Sequence, residues 1–419
     1  MEVFRAVFGW IGSLQSFVLV PVSVLILSLL AGVKFGRAFK SAVLIGVGLI
    51  GLSATVNIFA GGVMPVTGQI IARWGGHLSV VDAGVFTLLR VVWGSAIAVF
   101  FIPVGVGVNL LLLALGLSKT LDVDILNYWV WGITAVAIYA ITNSIPLALA
   151  GFAINEIIIL KIADWTAPKI QEHYNLPGIS IPHGNAALWP PLAAPLGWLL
   201  ERIPGLRSIN LSPDSIQKRF GTYGEPVILG LFLGLLFGLL GRLPVKDILA
   251  TGVTVAAVLV LFPKMVSVLM EGLLPISEAV RERLATRFKR EINIGLDAAV
   301  LVGYPEVLAT GMVLIPIILG LALILPGNKV LPVADLAIAA PFLVSMCMPF
   351  LKRGNILFGI IAGALIFTVS LYVAGDLAPV FTAAGQATGL GAEGLWTSVG
   401  AGSNWITWVL VKLVHLIGY

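Results

Sequence analysis

The sequence predicts an all-α protein that crosses a lipid bilayer many times. Three observations predict it: too little charge to cover a water-exposed surface, an internal repeat, and basic residues that fall on one side of a threaded chain. Of 419 residues, 59% are hydrophobic and only 11% are charged, with a mean hydropathy of +1.05. A soluble domain carries about 25% charged residues. A chain so poor in charge needs lipid as its solvent, and its length holds ten or more spanning helices of about 20 residues each. Residues Met1 to Arg5 lack the basic segment, short apolar run and small-residue site of a cleaved signal, so the N-terminus reads as retained. The single cysteine, Cys347, lies in an apolar run. That excludes an internal disulfide and a Cys-rich metal site, and it is a poor setting for a reactive thiolate. No glycine-rich segment ends in Gly-Lys-Ser/Thr, which argues against ATP-driven transport within the chain. Neither a metal nor a cofactor is expected.

The repeat has an offset of about 205 to 215 residues. Pro21-Val22 and Pro226-Val227 open apolar helices, and Lys40 and Lys246 start the next ones. Met64-Pro65-Val66-Thr67 leads to Arg73-Trp74 as Leu274-Pro275-Ile276-Ser277 leads to Arg283-Leu284. Asp82-Ala83 and Asp297-Ala298 follow, then Ile102-Pro103 and Ile315-Pro316, Asp124 and Asp335, Asn143 and Asn355. The expected organisation is a first repeat at 14–165 and a re-entrant linker at 166–219. A second repeat at 220–378 and a periplasmic loop with a last helix at 379–419 complete it.

Orientation follows from the positive-inside bias. Lys34, Arg37 and Lys40 place the first connection in the cytoplasm and the N-terminus outside. If each repeat has five spans, the second runs inverted. That leaves only Arg5, Arg73, Arg90, Arg242, Lys246 and Lys329 away from the cytoplasm. A helix near Ser403–Ile417 then ends the chain inside and brings the total to about eleven spans. The stretch holding Arg281, Arg283, Arg287, Lys289 and Arg290 reads as an interfacial helix on anionic lipid rather than a nucleic-acid patch. The net charge of +5 has the same explanation.

In inverted-repeat transporters the ligand lies near the midplane at broken helices. Asp82 and Asp297, taken as repeat-equivalent, lead the candidates because intramembrane charge is expensive. Each could accept hydrogen bonds from a polyol or a proton from a reacting hydroxyl, or merely cap a helix. Gly178-Ile-Ser-Ile-Pro-His-Gly-Asn185 precedes a proline-rich stretch, Trp189 to Trp198, that reads as re-entrant. His183 there could meet substrate or cap backbone carbonyls. Glu225, before Pro226, fits either a helix start or a substrate carboxylate. Glu306, after Tyr304-Pro305, Asn143 and Glu156 are further intramembrane polar groups, and Glu156 could be neutralised by pairing. Gly230, Gly234 and Gly238 read as close helix packing. The Trp residues read as interface anchors, with Trp93 or Trp405 able to stack on a sugar.

At several of these segments the chain resembles a known family, the galactitol-type enzyme IIC of the bacterial phosphoenolpyruvate-dependent phosphotransferase system. The segments are Gly178-Ile-Ser-Ile-Pro-His-Gly184, Ser212-Pro-Asp-Ser-Ile-Gln-Lys-Arg-Phe-Gly221 with Gly224-Glu-Pro226, and Ile294-Gly-Leu-Asp297. Pro326-Gly-Asn-Lys-Val-Leu-Pro332 with Asp335-Leu336, Arg353-Gly-Asn355 and Ile406-Thr-Trp408 extend the likeness from about residue 17 to 410. The resemblance implies inverted five-helix repeats, a homodimer, and elevator-like movement of a substrate-carrying core. It also implies phosphorylation of the delivered sugar by a phosphocysteine on a separate enzyme IIB, charged in turn through enzyme IIA. By residue it implies Asp297 as base or substrate anchor, with His183 at the cytoplasmic mouth. Asn185, Asp82 and Glu225 fall in matching motifs. Tyr304-Pro305-Glu306, Asn143-Ser144-Ile145-Pro146 and Gly402-Ser403-Asn404 depart from the family's pattern and leave the sugar open. The rival reading is an ion-coupled elevator-type secondary transporter.

Overall fold

A computed structural model describes residues 16–30, 32–74, 78–124, 127–288, 291–332, 334, 336–389 and 394–419. The retained N-terminus, Lys289, Arg290 and Asp335 lie outside the described residues. The elements run α1 (Ser16–Leu30), α2 (Phe35–Trp74), β1 (Val80–Asp82), α3 (Val85–Gly94), α4 (Phe101–Leu115), β2 (Thr120–Asp122), α5 (Tyr128–Thr142), α6 (Ile145–Tyr174), β3 (Ile179–Ser180) and α7 (Pro190–Leu200). After α8 (Pro213–Phe220) the same succession recurs. It comprises α9 (Pro226–Leu240), α10 (Val245–Phe288), β4 (Asn293–Gly295), α11 (Ala299–Val302), α12 (Pro305–Ile324), β5 (Val330–Leu331), α13 (Leu336–Ser345), α14 (Ile356–Ala387), β6 (Leu395–Thr397) and α15 (Trp405–Leu416).

Among the described residues, six helices are long and apolar enough to cross a membrane: Phe35–Val63 of α2, Ala98–Leu115, α6, Val245–Leu273 of α10, α12 and α14. The sequence suggested about eleven spans. The difference lies in the shorter apolar helices, such as α3 and α13 at 10 residues and α5 at 15. Such lengths fall short of the roughly 20 residues a bilayer requires. Apolar composition runs straight through the breaks. At Asn143 the backbone turns left-handed (φ 50°) and ends α5, and Ser144 accepts from the Leu147 amide to start α6. The boundary expected at 165/166 falls inside α6, and that at 378/379 inside α14. The short α7, in the stretch expected to be re-entrant, has its own counterpart in α15. The amphipathic stretch after Met64-Pro65 continues α2, and the basic stretch expected to lie at the interface continues α10 through Pro275 as far as Phe288.

Glycines set how these helices meet. A Cβ on Gly48 would come 2.7 Å from Leu269 Cα, and one on Gly272 2.7 Å from Ser41 O. One on Gly62 would come 2.6 Å from Thr254 Cγ2. Low numbers on α2 thus meet high numbers on α10, so the two cross antiparallel. A Cβ on Gly230, Gly234 or Gly238 would come within 3.0 Å of Ala256, Gly252 or Ile248 respectively, the close packing their spacing predicts.

The strands, absent from the sequence expectation, form two small parallel sheets ordered β5-β1-β6 and β2-β4-β3. Exchanging each strand for its counterpart converts one order into the other. Each sheet therefore has a centre strand from one half of the chain and edges from the other.

Candidate functional site

Two short loops leave the edge strands and turn into half-length helices: 181–189 between β3 and α7, and 398–404 between β6 and α15. Their tips touch, with Trp405 Nε1–H donating to Leu188 O at 3.0 Å. Beside them is a cavity of about 230 Å³. α3 lines it with Val85, Phe86 and Leu89, α5 with Trp129, and α13 with Ile338, Ala339, Phe342 and Leu343. The first loop supplies His183 and Asn185, the turn after β4 supplies Asp297 and Ala299, and the second loop supplies Gly400. Both halves build the walls, and the lining is mostly apolar with a few convergent polar groups, as small-molecule sites are.

Those polar groups are ordered by the backbone. The Ala299 amide donates to Asp297 Oδ1 at 2.7 Å, which leaves Oδ2 facing His183 Nε2 at 3.8 Å. The Asn185 amide donates to His183 Nδ1 at 3.3 Å. Nδ1 is therefore an acceptor, and in the neutral ring the proton sits on Nε2, toward Asp297. Phe342 packs edge-on to the imidazole, 4.8 Å between centroids. His183 is 4% exposed, whereas the Asp297 side chain keeps 29%, so the carboxylate is the member a ligand reaches first. Asn185 Oδ1 is buried with no hydrogen-bond partner in the described structure. The arrangement offers an incoming hydroxyl a carboxylate acceptor, an imidazole donor and an amide acceptor on one wall, with Trp129, Phe86 and Phe342 for its carbon skeleton.

Strand register corrects one equivalence read from the sequence. Val80 N bonds Lys329 O and Asn293 N bonds Lys119 O; Ala83 N bonds Thr397 O and Leu296 N bonds Ser180 O. Val80 thus matches Asn293, Asp82 matches Gly295, and the counterpart of Asp297 is Gly84. Counted from the edge strands, His183 matches Gly400.

The remaining candidates lie outside the cavity wall. Asp82 is 2% exposed. It accepts from the Gly84 and Val399 amides at 3.3 and 3.2 Å and from the Ala334 amide at 3.2 Å, pinning the second loop to β1. Glu306 bonds His173 at 3.0 Å. Glu225 begins α9 without capping it, and Asn143 is the exposed C-cap of α5. Trp93 leans on Phe101. The sequence reading missed Trp129, Phe86 and Phe342. They sit in uniformly apolar runs, and nothing in their spacing separates a cavity wall from a lipid face.

The family described as the PTS system sugar-specific permease component (EIIC-GAT) matches residues 11–393. A protein of Escherichia coli (strain K12) described as a permease IIC component is 38% identical over 412 residues, covering 98% of this chain and 94% of its own. The galactitol-specific EIIC component of the same strain is 34% identical over 412 residues, covering 98% and 91%; that of Escherichia coli O157:H7 gives the same values. With these matches spanning nearly the whole chain, and with apolar helices built to cross a bilayer, this integral inner-membrane protein belongs to the EIIC-GAT family and is a sugar-transporting permease component of the phosphotransferase system.

Proposed function

We propose that the chain takes up galactitol or a closely related polyol from the outside and presents it to phosphorylated enzyme IIB, which phosphorylates it during entry. The observation that carries this reading is the cavity at the meeting loop tips, with Asp297, His183 and Asn185 on one wall. A polyol is a row of hydroxyls, and Asp297 Oδ2 and Asn185 Oδ1 are acceptors that such a ligand would fill. Transfer of a phosphoryl group to a hydroxyl needs in-line positioning and a group to accept its proton. Asp297 Oδ2 is suited to that, with His183 Nε2–H steadying the carboxylate. Asp82 and Glu306 act by holding the frame in place, while Glu225 and Asn143 stand at helix ends away from the cavity.

The two halves are related as inverted repeats, a reading supported by the antiparallel crossing of α2 on α10 and by the exchanged sheet orders. Movement is of the elevator type, with two copies forming a homodimer, the N-terminus periplasmic and the C-terminus cytoplasmic. The donor approaches the end where Lys169, Arg202, Arg207, Lys218, Arg219, Lys352 and Arg353 gather. Among the described residues none of these is in an ion pair. Lys352 and Arg353 stand with Gly354 in three consecutive left-handed conformations (φ 46°, 54° and 79°). Lys352 Nζ is tied to the Arg207 and Ile209 carbonyls. Backbone strain of this kind costs about 1–2 kcal/mol per non-glycine residue and persists where surroundings hold it.

The test is uptake of labelled polyols into membrane vesicles with and without enzyme IIB, enzyme IIA and phosphoenolpyruvate. Phosphorylated product that requires the complete donor chain is expected. Unmodified sugar accumulating with an ion gradient would instead establish the secondary-transporter reading.

A further inference from the structure

Glu156 lies midway along α6, and the function above makes no use of it. The sequence suggested a paired acid, but the structure gives it no partner among the described residues. Glu156 is 0% exposed, and neither carboxylate oxygen has a hydrogen-bond partner among the described residues. The titratable groups facing it are acids: Asp122 at the end of β2, and Tyr128 on α5, which also feels Asp124. Neither α4 nor α7 contains an ionisable residue. On α15, Lys412 is engaged by Asp376 at 2.7 Å and His415 by the Tyr419 carbonyl at 2.8 Å. On α6 itself, Lys161 donates to Leu117 O, and Asp164 accepts from Ser118, Thr120 and the Lys119 amide.

This acid belongs to a file that begins in the cavity. Asp122 is placed so that, if ionised, it would repel both Asp297 and Glu156. The backbone link is tight. Asp122 pairs in register with Gly295, two residues before Asp297. A Cβ on Gly295 would stand 2.9 Å from Asp122 Cα and 2.9 Å from Pro182 Cγ, next to His183. Behind Asp297, Asp122 and Glu156 are both buried, and with no basic partner for the inner one they cannot both be ionised away from water. A metal ion would need several ligands, and among the described residues no group of three or more His, Cys, Asp and Glu could hold one. A proton needs only the carboxyl itself.

We propose that Glu156 is a proton-binding site: its carboxyl carries a bound proton in this conformation, and that proton neutralises the inner end of the Asp297–Asp122–Glu156 file behind the sugar cavity. The importance of the file for transport rests on the cavity being the sugar site, whereas the bound proton does not.

Two measurements separate these claims. The first is the infrared difference spectrum between wild type and E156Q at neutral pH, in lipid nanodiscs without sugar. A protonated carboxylic C=O band that E156Q removes, and that E156D retains at a shifted position, is the expected result. No such band, or an ionised carboxylate lost in its place, overturns the proposal. The second is phosphorylation of galactitol by the complete donor chain. E156Q, which is neutral without a proton, should keep activity within about threefold of wild type, whereas E156A, which leaves a gap, should lose more than about tenfold. Loss in E156Q as large as in E156A overturns the neutralising role. If wild type does not phosphorylate any polyol, the sugar reading fails and the infrared result still decides the proton.

Discussion

The loops 181–189 and 398–404 occupy matched places in the fold and do different work. Each follows an edge strand, each turns into a half-length helix, and each reaches the cavity. The first brings an imidazole and a carboxamide to the wall, where the second brings Gly400. The turns beside the centre strands differ in the same sense, with Asp297 after β4 and Gly84 after β1. Architecture is thus duplicated while the polar side chains of the cavity are concentrated on one side. Asp82, in the glycine-bearing half, is spent on backbone amides and holds the second loop in place. Under the proposed function, a cavity so lined would give an extended polyol one orientation: hydroxyls to the polar wall, carbon skeleton to Trp129, Phe86 and Phe342.

Substitutions can break this comparison at different strengths. The largest effect is expected from Asp297→Asn. General-base assistance is worth roughly 10²–10⁴-fold, so sugar phosphorylation by the complete donor chain should fall at least about 100-fold, with galactitol binding by calorimetry changed far less. Full activity in this variant would remove the polar half from the chemistry. Next comes Asp82→Ala. Its carboxylate holds three backbone amides, and hydrogen bonds to a charged group contribute about 1.5–3 kcal/mol each. Thermal unfolding in detergent should move down by several degrees, and sugar affinity should drop because the second loop is released. Lost phosphorylation with unchanged stability would place Asp82 in the chemistry and erase the division of labour. Asn185→Ala removes one hydrogen bond to the ligand, about 1 kcal/mol. A five- to tenfold weaker galactitol Kd at unchanged thermal stability is expected, and an unchanged Kd would leave His183 and Asp297 as the whole polar wall. The smallest effect belongs to Trp129→Phe, which keeps an apolar face of smaller area. About threefold in Kd, with little change in maximal rate, would mark the ring as packing surface.

Much of this was legible before folding. Lipid as solvent followed from the scarcity of charge, and the repeat followed from landmarks in a common order, although Pro21 and Lys40 lie inside α1 and α2 whereas Pro226 and Lys246 stand at the starts of α9 and α10. Asp297 stood out because charge in apolar surroundings is costly, His183 because it sits in irregular backbone between apolar segments, and Asn185 through the family resemblance of its motif. The close approach at Gly230, Gly234 and Gly238 came from their four-residue spacing alone. Strand register was not legible, because two- and three-residue strands pair with partners far along the chain. The match of Asp82 with Asp297 looked sound in one dimension and slipped by two residues in three. The partnership expected for Glu156 failed for a related reason, since sequence shows that an acid is buried but not what faces it.

The sequence by itself determined the solvent, the duplicated plan and the identity of the polar residues, since these depend on composition, spacing and the energetic cost of each side chain in lipid. Only the tertiary structure decided which apolar runs form helices long enough to span and which form shorter ones, that the two loops meet, and which side chains share a cavity. Those outcomes depend on contacts between residues far apart along the chain, such as Leu188 with Trp405 and Asp122 with Gly295, and no local pattern encodes them.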